Sequence, residues 1–313
     1  MNFLVLGGAG FIGSHVVDAL LTAGHQVRVF ERPGCDLANL TTVLGRIEIC
    51  YGDFANVEEH AGVLAEALVG IDLVLHLVST VLPASSNENP LYDIETNLKG
   101  TVSLLTLAVK QGVKKVVFAS SGGQVYGPVS VLPIREESPA EPLSSYGIIK
   151  LAGEKYLRLF NHLHGLDYTV LRISNPYGER QKVSGAQGAV AVFLGRIKRG
   201  QALEIWGDGS VARDYLYIAD LIKAILLACE IRTSEKLFNI GSGSPCTLNH
   251  LITLLEEVTG RKVTVGYKES RACDSSVNFL DCHRARKYLG WQPQCSLREG
   301  LERTWKWVVG NDE

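Results

Sequence analysis

A glycine-rich turn directly follows the first apolar segment of this 313-residue chain. The run Phe3–Leu6 has the composition of a buried strand, and Gly7-Gly8-Ala9-Gly10-Phe11-Ile12-Gly13 leads from it into an amphipathic helix that extends through Leu21. Glycine at Gly7 allows a tight turn, at Gly10 it lets the backbone approach a phosphate closely, and at Gly13 it lets helix and strand pack together. The pattern predicts a strand–turn–helix unit that holds a dinucleotide pyrophosphate at the N-terminus of the helix.

Strand-like and helix-like segments alternate through the first half of the chain. Short runs rich in β-branched residues are separated by stretches in which apolar residues recur at helical spacing. The predicted strands are Asn2–Leu6, Gln26–Phe30, Ile47–Tyr51, Leu73–Leu77, Lys115–Ser120 and Tyr168–Ile173, and the clearest helical stretches are Val57–Leu68, Ile94–Val109 and Tyr146–Leu163. This alternation predicts an α/β fold with a Rossmann-type, doubly wound parallel sheet.

The pattern loosens after Pro176 into shorter mixed elements. A turn dipeptide, Asp208-Gly209, is followed by a helical segment near Ile218–Glu230 and a strand near Leu237–Ile240. We expect a dinucleotide-binding domain over residues 1–175 with a returning segment near 214–242, and a smaller mixed α/β lobe, formed by 176–213 and 243–313, that binds the substrate. The cleft between the two is the expected ligand site.

Composition and charge exclude several classes of function. The formal net charge is −2 and basic residues are scattered among acidic ones, so nucleic acid is a poor partner. The seven cysteines contain no C-x-x-C pair, and no His/Cys cluster has zinc-ligand spacing; we therefore predict reduced thiols and no metal site. The N-terminus has no signal-like basic region and the chain has no long apolar stretch, which predicts a cytoplasmic location and no membrane partner.

An acidic residue follows the second predicted strand. Glu31 stands where a carboxylate can accept hydrogen bonds from an adenosine ribose and would repel a 2′-phosphate, which favours NAD over NADP. Arg28 and Arg32 could attract that phosphate and keep NADP open, and a solvated loop charge is the alternative for Glu31. Asp53 and Phe54 end the third strand at the same sheet edge, where Asp53 could bind the adenine or cap a following helix.

Tyr146 and Lys150 lie one helical turn apart and therefore project from the same face of a helix. A tyrosine phenol titrates near ~10, and a nearby ammonium, aided by a positive nicotinamide ring, should stabilise the phenolate and lower that pKa. Ser121, at the end of the preceding strand, could hydrogen-bond a substrate oxygen. An amphipathic surface helix is the plainer explanation of this spacing, but in the company of the glycine turn it predicts a proton-transfer site.

Several motifs jointly resemble the extended short-chain dehydrogenases/reductases, specifically the NAD-dependent nucleotide-sugar epimerase/dehydratase family, whose best-known member is UDP-glucose 4-epimerase. The matching segments are GGAGFIG at Gly7–Gly13, NLKGT at Asn97–Thr101, FASSGGQVYG at Phe118–Gly127, YGIIK at Tyr146–Lys150, RISNPYG at Arg172–Gly178, WGDG at Trp206–Gly209 and RDYLYIAD at Arg213–Asp220. The sequence departs from the family at His76-Leu77-Val78-Ser79 and at Ser145, where proline is frequent.

The resemblance implies a role for individual residues. Tyr146 is implied as the catalytic base, Lys150 as the residue that acidifies it and holds the nicotinamide ribose, and Ser121 as the helper at the sugar hydroxyl. Counting back from the end of the serine motif puts Gly122 at that place, and Ser120 is a spare candidate. The implied cofactor contacts are Gly7, Gly10, Phe11, Ile12, Gly13, Glu31, Asp53, Phe54, Leu77, Asn97, Tyr146 and Lys150. The implied substrate contacts are Ser121, Asn175, Arg213, Arg271 (with Asp274) and Asn278.

The loop after Ser121 indicates which reaction to expect. It reads Gly122-Gly123-Gln124, whereas family dehydratases have an Asp-Glu pair there and decarboxylases a glutamate, so the acid that expels a hydroxyl is missing. What remains is oxidation at the sugar C4, rotation of the 4-keto intermediate and reduction from the opposite face, as in an NAD-dependent UDP-sugar 4-epimerase. Asn278 replaces the larger tyrosine that excludes acetylated sugars, which predicts UDP-GlcNAc and UDP-GalNAc as substrates beside UDP-glucose and UDP-galactose.

Two other functions remain open, and the sequence also suggests an oligomeric state. An NADP-dependent nucleotide-sugar reductase would use the same residues, and a dinucleotide-sensing protein without catalysis would keep the fold alone. Family members are dimers, and the helical stretches Ile94–Val109 and Tyr146–Leu163 each have a broad apolar face. The resemblance therefore implies a homodimer through a helix bundle.

Overall fold

The computed structural model describes residues 1–81, 85–184, 188–269 and 277–311. The chain forms two compact units. The first unit comprises Met1–Gly127, Pro139–Arg172 and Ile222–Phe238, and the second comprises Pro128–Ser138, Ile173–Leu221 and Asn239–Glu313. Within the described residues, none of the helices combines the length and the apolar composition needed to cross a membrane.

A seven-stranded sheet forms the centre of the first unit. Its strands are β1 (Asn2–Leu6), β2 (Gln26–Glu31), β3 (Glu48–Tyr51), β4 (Leu73–His76), β5 (Lys115–Ser121), β6 (Asp167–Ile173) and β10 (Leu237–Ile240). They lie in the order β10-β6-β5-β4-β1-β2-β3, and the pairs β1/β2, β2/β3, β1/β4 and β4/β5 are all parallel. The predicted doubly wound parallel sheet is thus confirmed.

The strand order reverses between β1 and β4, and this fixes where a ligand can bind. In sheets of this kind the helices after neighbouring strands leave to opposite faces at the reversal, which opens a crevice at the carboxyl ends of the strands. The residues that follow β1, β2 and β4 are Gly7, Arg32 and Leu77. Both faces of the sheet are covered, and β1 and β4 are buried almost throughout, as helix-flanked parallel strands should be.

The helices of the first unit begin and end close to the predicted positions, with two exceptions. They are α1 (Phe11–Thr22), α2 (Ala61–Ala67), α3 (Pro90–Asp93), α4 (Lys99–Lys110), α5 (Ser145–His164) and α7 (Ile218–Glu230), whose first four residues belong to the second unit. The predicted helix Val57–Leu68 is wrong in its first turn: Asp53 caps a short 3₁₀ turn over Phe54–Asn56, and α2 begins only at Ala61. The predicted helix Ile94–Val109 is a π-helical segment, Ile94–Leu98, followed by α4.

Local signals at both ends explain why α5 forms where it does. The Ser144 hydroxyl accepts a hydrogen bond from the Gly147 amide at 3.1 Å, which caps the N-terminus. Gly165 adopts φ 70° and ends the helix in the left-handed conformation that glycine accepts without strain. Helix α5 therefore presents Tyr146 and Lys150 in its first two turns.

The second unit contains two small sheets with helices packed on them. Strand β9 (Ala212–Tyr217) pairs with β7 (Asn175–Tyr177), β11 (Pro245–Thr247) and β13 (Val277–Asn278), while β8 (Leu203–Trp206) pairs with β12 (Val265–Lys268). The helices outside the first unit are α6 (Ala189–Lys198), α8 (Leu248–Thr259), α9 (His283–Leu289) and α10 (Leu297–Gly310). The fully buried Asp214 carboxylate on β9 accepts hydrogen bonds from the amides of Ser242, Gly243 and Leu280, which ties these segments together.

Candidate active site

The glycine turn has the geometry that a pyrophosphate requires. Gly7 adopts φ 81°, a conformation that favours glycine, and the Gly10 amide donates to the Gly7 carbonyl at 3.2 Å. Gly10 is the N-cap of α1 and no side chain caps the helix there, so the amides of its first turn, at Phe11, Ile12 and Gly13, face the place of an anion. A Cβ on Gly13 would collide with the Gly7 carbonyl and approach the Gly8 Cα to 2.7 Å.

A cavity of about 460 Å³ lies in front of the turn, wholly within the first unit. Gly7, Gly10, Glu31, Asp53 and Leu77 line it together with Phe54. The Glu31 Oε1 atom accepts a hydrogen bond from the Ala9 amide at 2.7 Å; burial raises the pKa of Glu31, and this hydrogen bond opposes the rise. A carboxylate has further acceptor positions for a ribose hydroxyl. The residues present therefore fit an adenine dinucleotide.

The two arginines near the ribose position differ in their availability. The Arg28 Nε donates to Glu48 at 2.7 Å, and its Nη1 donates to the carbonyls of Ala67 and Val69 at 2.8 and 3.0 Å. The expectation that Arg28 could attract a 2′-phosphate is therefore wrong, because its guanidinium is engaged elsewhere. Arg32 does line the cavity beside Glu31.

Asp53 and Asn97 have partners within the protein. Asp53 Oδ1 accepts from the Ala55 amide at 2.9 Å, so it caps the 3₁₀ turn while it lines the cavity. Asn97 is buried; its Oδ1 accepts from the Thr80 amide at 2.9 Å and its Nδ2 donates to the Thr80 hydroxyl at 2.7 Å and to Asp93 at 2.9 Å. Asn97 thus holds the loop that follows β4 in place.

Tyr146 and Lys150 occupy the same face of α5, as their spacing predicts. The Lys150 Nζ atom lies 5.6 Å from the Tyr146 ring centroid and 5.0 Å from the Phe118 ring centroid. It donates a hydrogen bond to the Ala119 carbonyl of β5 at 2.9 Å, and the side chain is almost fully buried. The end of β5 therefore fixes the position of the ammonium beside the tyrosine ring.

Burial, not the lysine, dominates the titration of Tyr146 in the polypeptide. Desolvation raises the pKa of Tyr146 to about 12, and the nearby Asp93 raises it too. Desolvation also lowers the pKa of Lys150 to about 8, while Asp93 and Glu154 oppose that decrease. The predicted lowering of the Tyr146 pKa depends on Lys150 together with a positive nicotinamide ring, and it stays a prediction for the cofactor-bound protein.

The two serines at the end of β5 point to opposite sides of the sheet, as neighbours on a strand do. The buried Ser120 hydroxyl donates to Glu154 Oε1 at 2.6 Å. Ser121 is half-buried, and its carbonyl accepts a hydrogen bond from the Val125 amide at 3.2 Å. The geometry therefore favours Ser121 over the spare candidate Ser120 for contact with a substrate.

The candidate substrate residues of the second unit gather around β9. The Asn175 Nδ2 donates to the Asp214 carbonyl at 3.0 Å, and Arg213 pairs in register with Asn278 of β13. Asn278 is buried, and its Oδ1 has no hydrogen-bond partner within the part of the chain that the structure describes. Arg271 and Asp274 lie outside the described residues.

Comparison with known proteins identifies the family. The model of the NAD dependent epimerase/dehydratase family matches residues 3–241. The chain belongs to this family. The resemblance inferred from the motifs is thereby confirmed. The prediction of NAD as the cofactor is confirmed as well. Because the match covers most of the first unit, it includes the glycine turn, Glu31 and the Tyr146–Lys150 pair.

Individual members of the NAD dependent epimerase/dehydratase family resemble the chain over nearly its whole length. UDP-glucose 4-epimerase of Mycolicibacterium smegmatis is 36% identical over 307 residues, with 97% of each chain covered. A dTDP-4-dehydro-6-deoxyglucose reductase of Escherichia coli is 33% identical, covering 96% of this chain and 95% of its own. The structure of UDP-glucose 4-epimerase with UDP-glucose from Thermotoga maritima superposes with a TM-score of 0.91 at 40% identity, with 99% of each chain covered.

The sequence did not predict a buried carboxylate close to the Tyr146–Lys150 pair. Asp93 ends α3, is 1% exposed, and accepts hydrogen bonds from Asn97 and from the Ser145 hydroxyl next to Tyr146. Two signals were present in the sequence: Asp93 precedes Asn97 by one helical turn, and Ser145 stands where proline is frequent. Neither signal shows that Asp93 and Ser145 are in contact, because these residues are 52 positions apart in the sequence.

Alanine at two glycines should separate nucleotide binding from folding. Gly10→Ala should lower the affinity for NAD by at least about tenfold without destabilising the protein, because its Cβ meets only the Gly7 carbonyl, at 3.3 Å, and otherwise enters the space of the pyrophosphate. Gly13→Ala should cost about 1–3 kcal/mol of folding free energy, because its Cβ collides with backbone. Titration calorimetry with NAD and chemical denaturation measure the two effects.

Gly62→Ala on α2 is the matched control for both variants, because its Cβ meets nothing within 4 Å. It should bind NAD as the unmodified protein does and be at least as stable. If Gly10→Ala binds NAD with unchanged affinity, the pyrophosphate does not lie against this turn.

Proposed function

We propose that this protein is an NAD-dependent UDP-sugar 4-epimerase that interconverts UDP-glucose and UDP-galactose through a 4-keto intermediate. One observation carries the proposal: Tyr146 and the buried Lys150 share one face of α5 beside the end of β5, and the three residues that directly follow this strand, Gly122-Gly123-Gln124, contain no carboxylate. The family relation supports it, because members named UDP-glucose 4-epimerase resemble the chain end to end.

Each residue of the pair has a distinct task in this proposal. Tyr146 removes the proton of the sugar 4-hydroxyl as the C4–H bond breaks, and later returns it to the oxygen of the 4-keto group. Lys150, held by the Ala119 carbonyl, places a positive charge beside the phenolate and binds the nicotinamide ribose. Ser121 hydrogen-bonds the same sugar oxygen. Bound NAD supplies the acceptor, and then the donor, of the C4 hydride.

The loop after β5 supports epimerisation over dehydration. A dehydratase needs an acid at the leaving hydroxyl, and the positions directly after the strand, where family dehydratases have an Asp-Glu pair, are Gly122, Gly123 and Gln124. The Gln124 Oε1 atom accepts a hydrogen bond from the Ser144 hydroxyl at 3.0 Å, at the N-cap of α5. Its amide is therefore part of the helix cap and not a proton donor for elimination.

Rotation of the keto sugar requires that the nucleotide stay anchored while the sugar moves. We assign Asn175, Arg213 and Arg271, with Asp274, to the substrate diphosphate, since planar guanidinium groups satisfy several phosphate oxygens together. Binding energy at the nucleotide can then be used at the distant sugar carbon. The buried Asn278 Oδ1 atom has no partner among the described residues. We assign Asn278 to the sugar C2, where a side chain smaller than tyrosine leaves room for an N-acetyl group.

A panel of nucleotide sugars tests the function. We expect the purified protein, incubated with UDP-, dTDP- and GDP-sugars, to form C4 isomers of UDP-glucose, UDP-galactose, UDP-GlcNAc and UDP-GalNAc, as detected by proton NMR. It should do so without consuming added NADH or NADPH, because the cofactor is regenerated in each turnover. Stoichiometric consumption of NADPH would establish a reductase, and absence of turnover with every sugar would leave a sensor. Isomerisation of UDP-galactose without that of acetylated sugars would refute the role of Asn278.

We also propose a homodimer formed through α4 and α5. Helix α5 exposes Ile148, Leu159 and Leu163, which lie close to one line along the helix because their spacing matches whole turns. Exposed apolar side chains in such a row are typical of a surface that another subunit covers. Light scattering of the purified protein would give the mass of the assembly, and the mass of a single chain would disprove this proposal.

A further inference from the structure

Asp93, the last residue of α3, is a buried carboxylate that contacts the first residue of α5, the helix that carries Tyr146 and Lys150. Its side chain is 1% exposed. Oδ1 accepts a hydrogen bond from the Asn97 Nδ2 at 2.9 Å, and Oδ2 accepts one from the Ser145 Oγ at 2.8 Å. Both donors are neutral, and among the residues that the structure describes no cation forms an ion pair with this carboxylate. A buried anion of this kind is costly unless its surroundings compensate for the lost hydration.

The neighbouring backbone fixes the carboxylate firmly. Ser145 is the first residue of α5 and directly precedes Tyr146, and its amide donates to the Asn87 Oδ1 at 2.8 Å. On the other side, Asn97 belongs to the π-helical segment Ile94–Leu98, a local widening of the helix that is frequent at functional sites. Hydrogen bonds from two separate elements therefore hold Asp93 at a constant place relative to the pair.

The other charged groups that face Lys150 contribute little free negative charge. Glu154, one turn further along α5, forms a buried ion pair with Arg172, with 2.6 Å between Oε2 and Nη2. His76 on β4 is buried between Phe54 and Phe118, and desolvation lowers its pKa to about 3, so it is neutral near pH 7. Within the described parts of the chain, Asp93 is thus an anion near Lys150 that has no ion-pair partner of its own.

We propose that Asp93 is a positioning residue of the active site, whose buried carboxylate, held by Ser145 and Asn97, is the counter-charge of the Lys150 ammonium. This inference rests on the proposed proton transfer by Tyr146. The anion keeps the lysine charged in a place that would otherwise favour the neutral amine. It also keeps Tyr146 protonated until the positive charges of Lys150 and of the bound cofactor act together.

The charge of Asp93 acts on both titrating groups in the same direction. A nearby anion stabilises an ammonium and destabilises a phenolate, so it raises the pKa of Lys150 and that of Tyr146. Removing the charge while keeping the shape should lower both values. In a pH–activity profile, the acid limb reports formation of the phenolate and the alkaline limb reports loss of the ammonium. Both limbs should therefore move to lower pH together.

Asp93→Asn in the NAD-bound enzyme tests this inference. We expect both limbs of the kcat profile to move down by about one pH unit. Carbon-13 NMR of ring-labelled tyrosine, with the Tyr146 signal assigned by its loss in Tyr146→Phe, should show a decrease in the pKa of Tyr146 by a similar amount. Asp93→Ser provides a second neutral variant, and thermal unfolding with NAD checks that both variants are folded.

Two controls separate charge from structure. Glu95→Gln removes an exposed carboxylate only two residues away and should leave both limbs unmoved, because water screens its charge. Ser145→Ala removes one hydrogen bond but keeps the Asp93 charge, so the limbs should move less than in Asp93→Asn. If Asp93→Asn lowers activity equally at every pH, or the Tyr146 signal titrates unchanged, the inference is overturned. If the unmodified protein epimerises no sugar, the proposed function fails, whereas the NMR titration still decides the role of Asp93.

Discussion

Tyr146→Phe should lower kcat for UDP-galactose epimerisation by about 10²–10⁴-fold, the typical contribution of a positioned general acid–base. Only the hydroxyl is lost, and the ring stays packed at the start of α5 beside Lys150. The NAD content and the unfolding temperature should therefore remain close to those of the unmodified protein. Initial rates at saturating substrate, followed by NMR or a coupled assay, measure the decrease in kcat.

Tyr156→Phe on the same helix is the matched control for the loss of a hydroxyl. Tyr156 is partly buried against the core of the first unit, away from the end of β5, so its variant should keep full activity. If the Tyr146→Phe protein still epimerises UDP-galactose near the original rate, another group transfers the proton. The proposed role of Tyr146 would then be wrong.

Arg172→Met should destabilise the protein by about 3–5 kcal/mol, the usual cost of leaving one charge of a buried ion pair alone. The Arg172 Nε and Nη2 atoms donate to the two oxygens of Glu154 at 2.9 and 2.6 Å. The side chains are only 3% and 6% exposed, so water cannot replace the lost partner. Since whole domains are stable by about 5–15 kcal/mol, this variant should unfold at a much lower denaturant concentration.

The double variant Glu154→Met/Arg172→Met should recover part of this loss, because it leaves no unpaired charge in the core. Lys262→Met is the control at the surface: Lys262 pairs with Glu256 at 2.9 Å but is 92% exposed, so the change should cost less than about 1 kcal/mol. If Arg172→Met and Lys262→Met lower the free energy of unfolding equally, burial does not increase the contribution of the Arg172–Glu154 ion pair to stability.

The glycine turn and the helical spacing were readable from the sequence because both depend on local geometry. Each glycine of the turn answers a backbone requirement within a few residues, and Tyr146 and Lys150 share a face on any α-helix. The boundaries of helical stretches were less accurate. The apolar periodicity of Val57–Leu68 and Ile94–Val109 does not reveal the cap formed by Asp53 or the π-helical segment, since both depend on hydrogen bonds that compete with a regular helix.

The sequence by itself determined the parallel sheet, the glycine turn and the common helix face of Tyr146 and Lys150, because these follow from residue type and short-range spacing. The tertiary structure alone decided that Asp93 meets Ser145, that Ser120 is bound to Glu154 and that Arg28 is paired with Glu48. It also decided that burial raises the pKa of Tyr146. Desolvation and contacts between distant residues depend on the packing of the entire domain, and no local pattern encodes them.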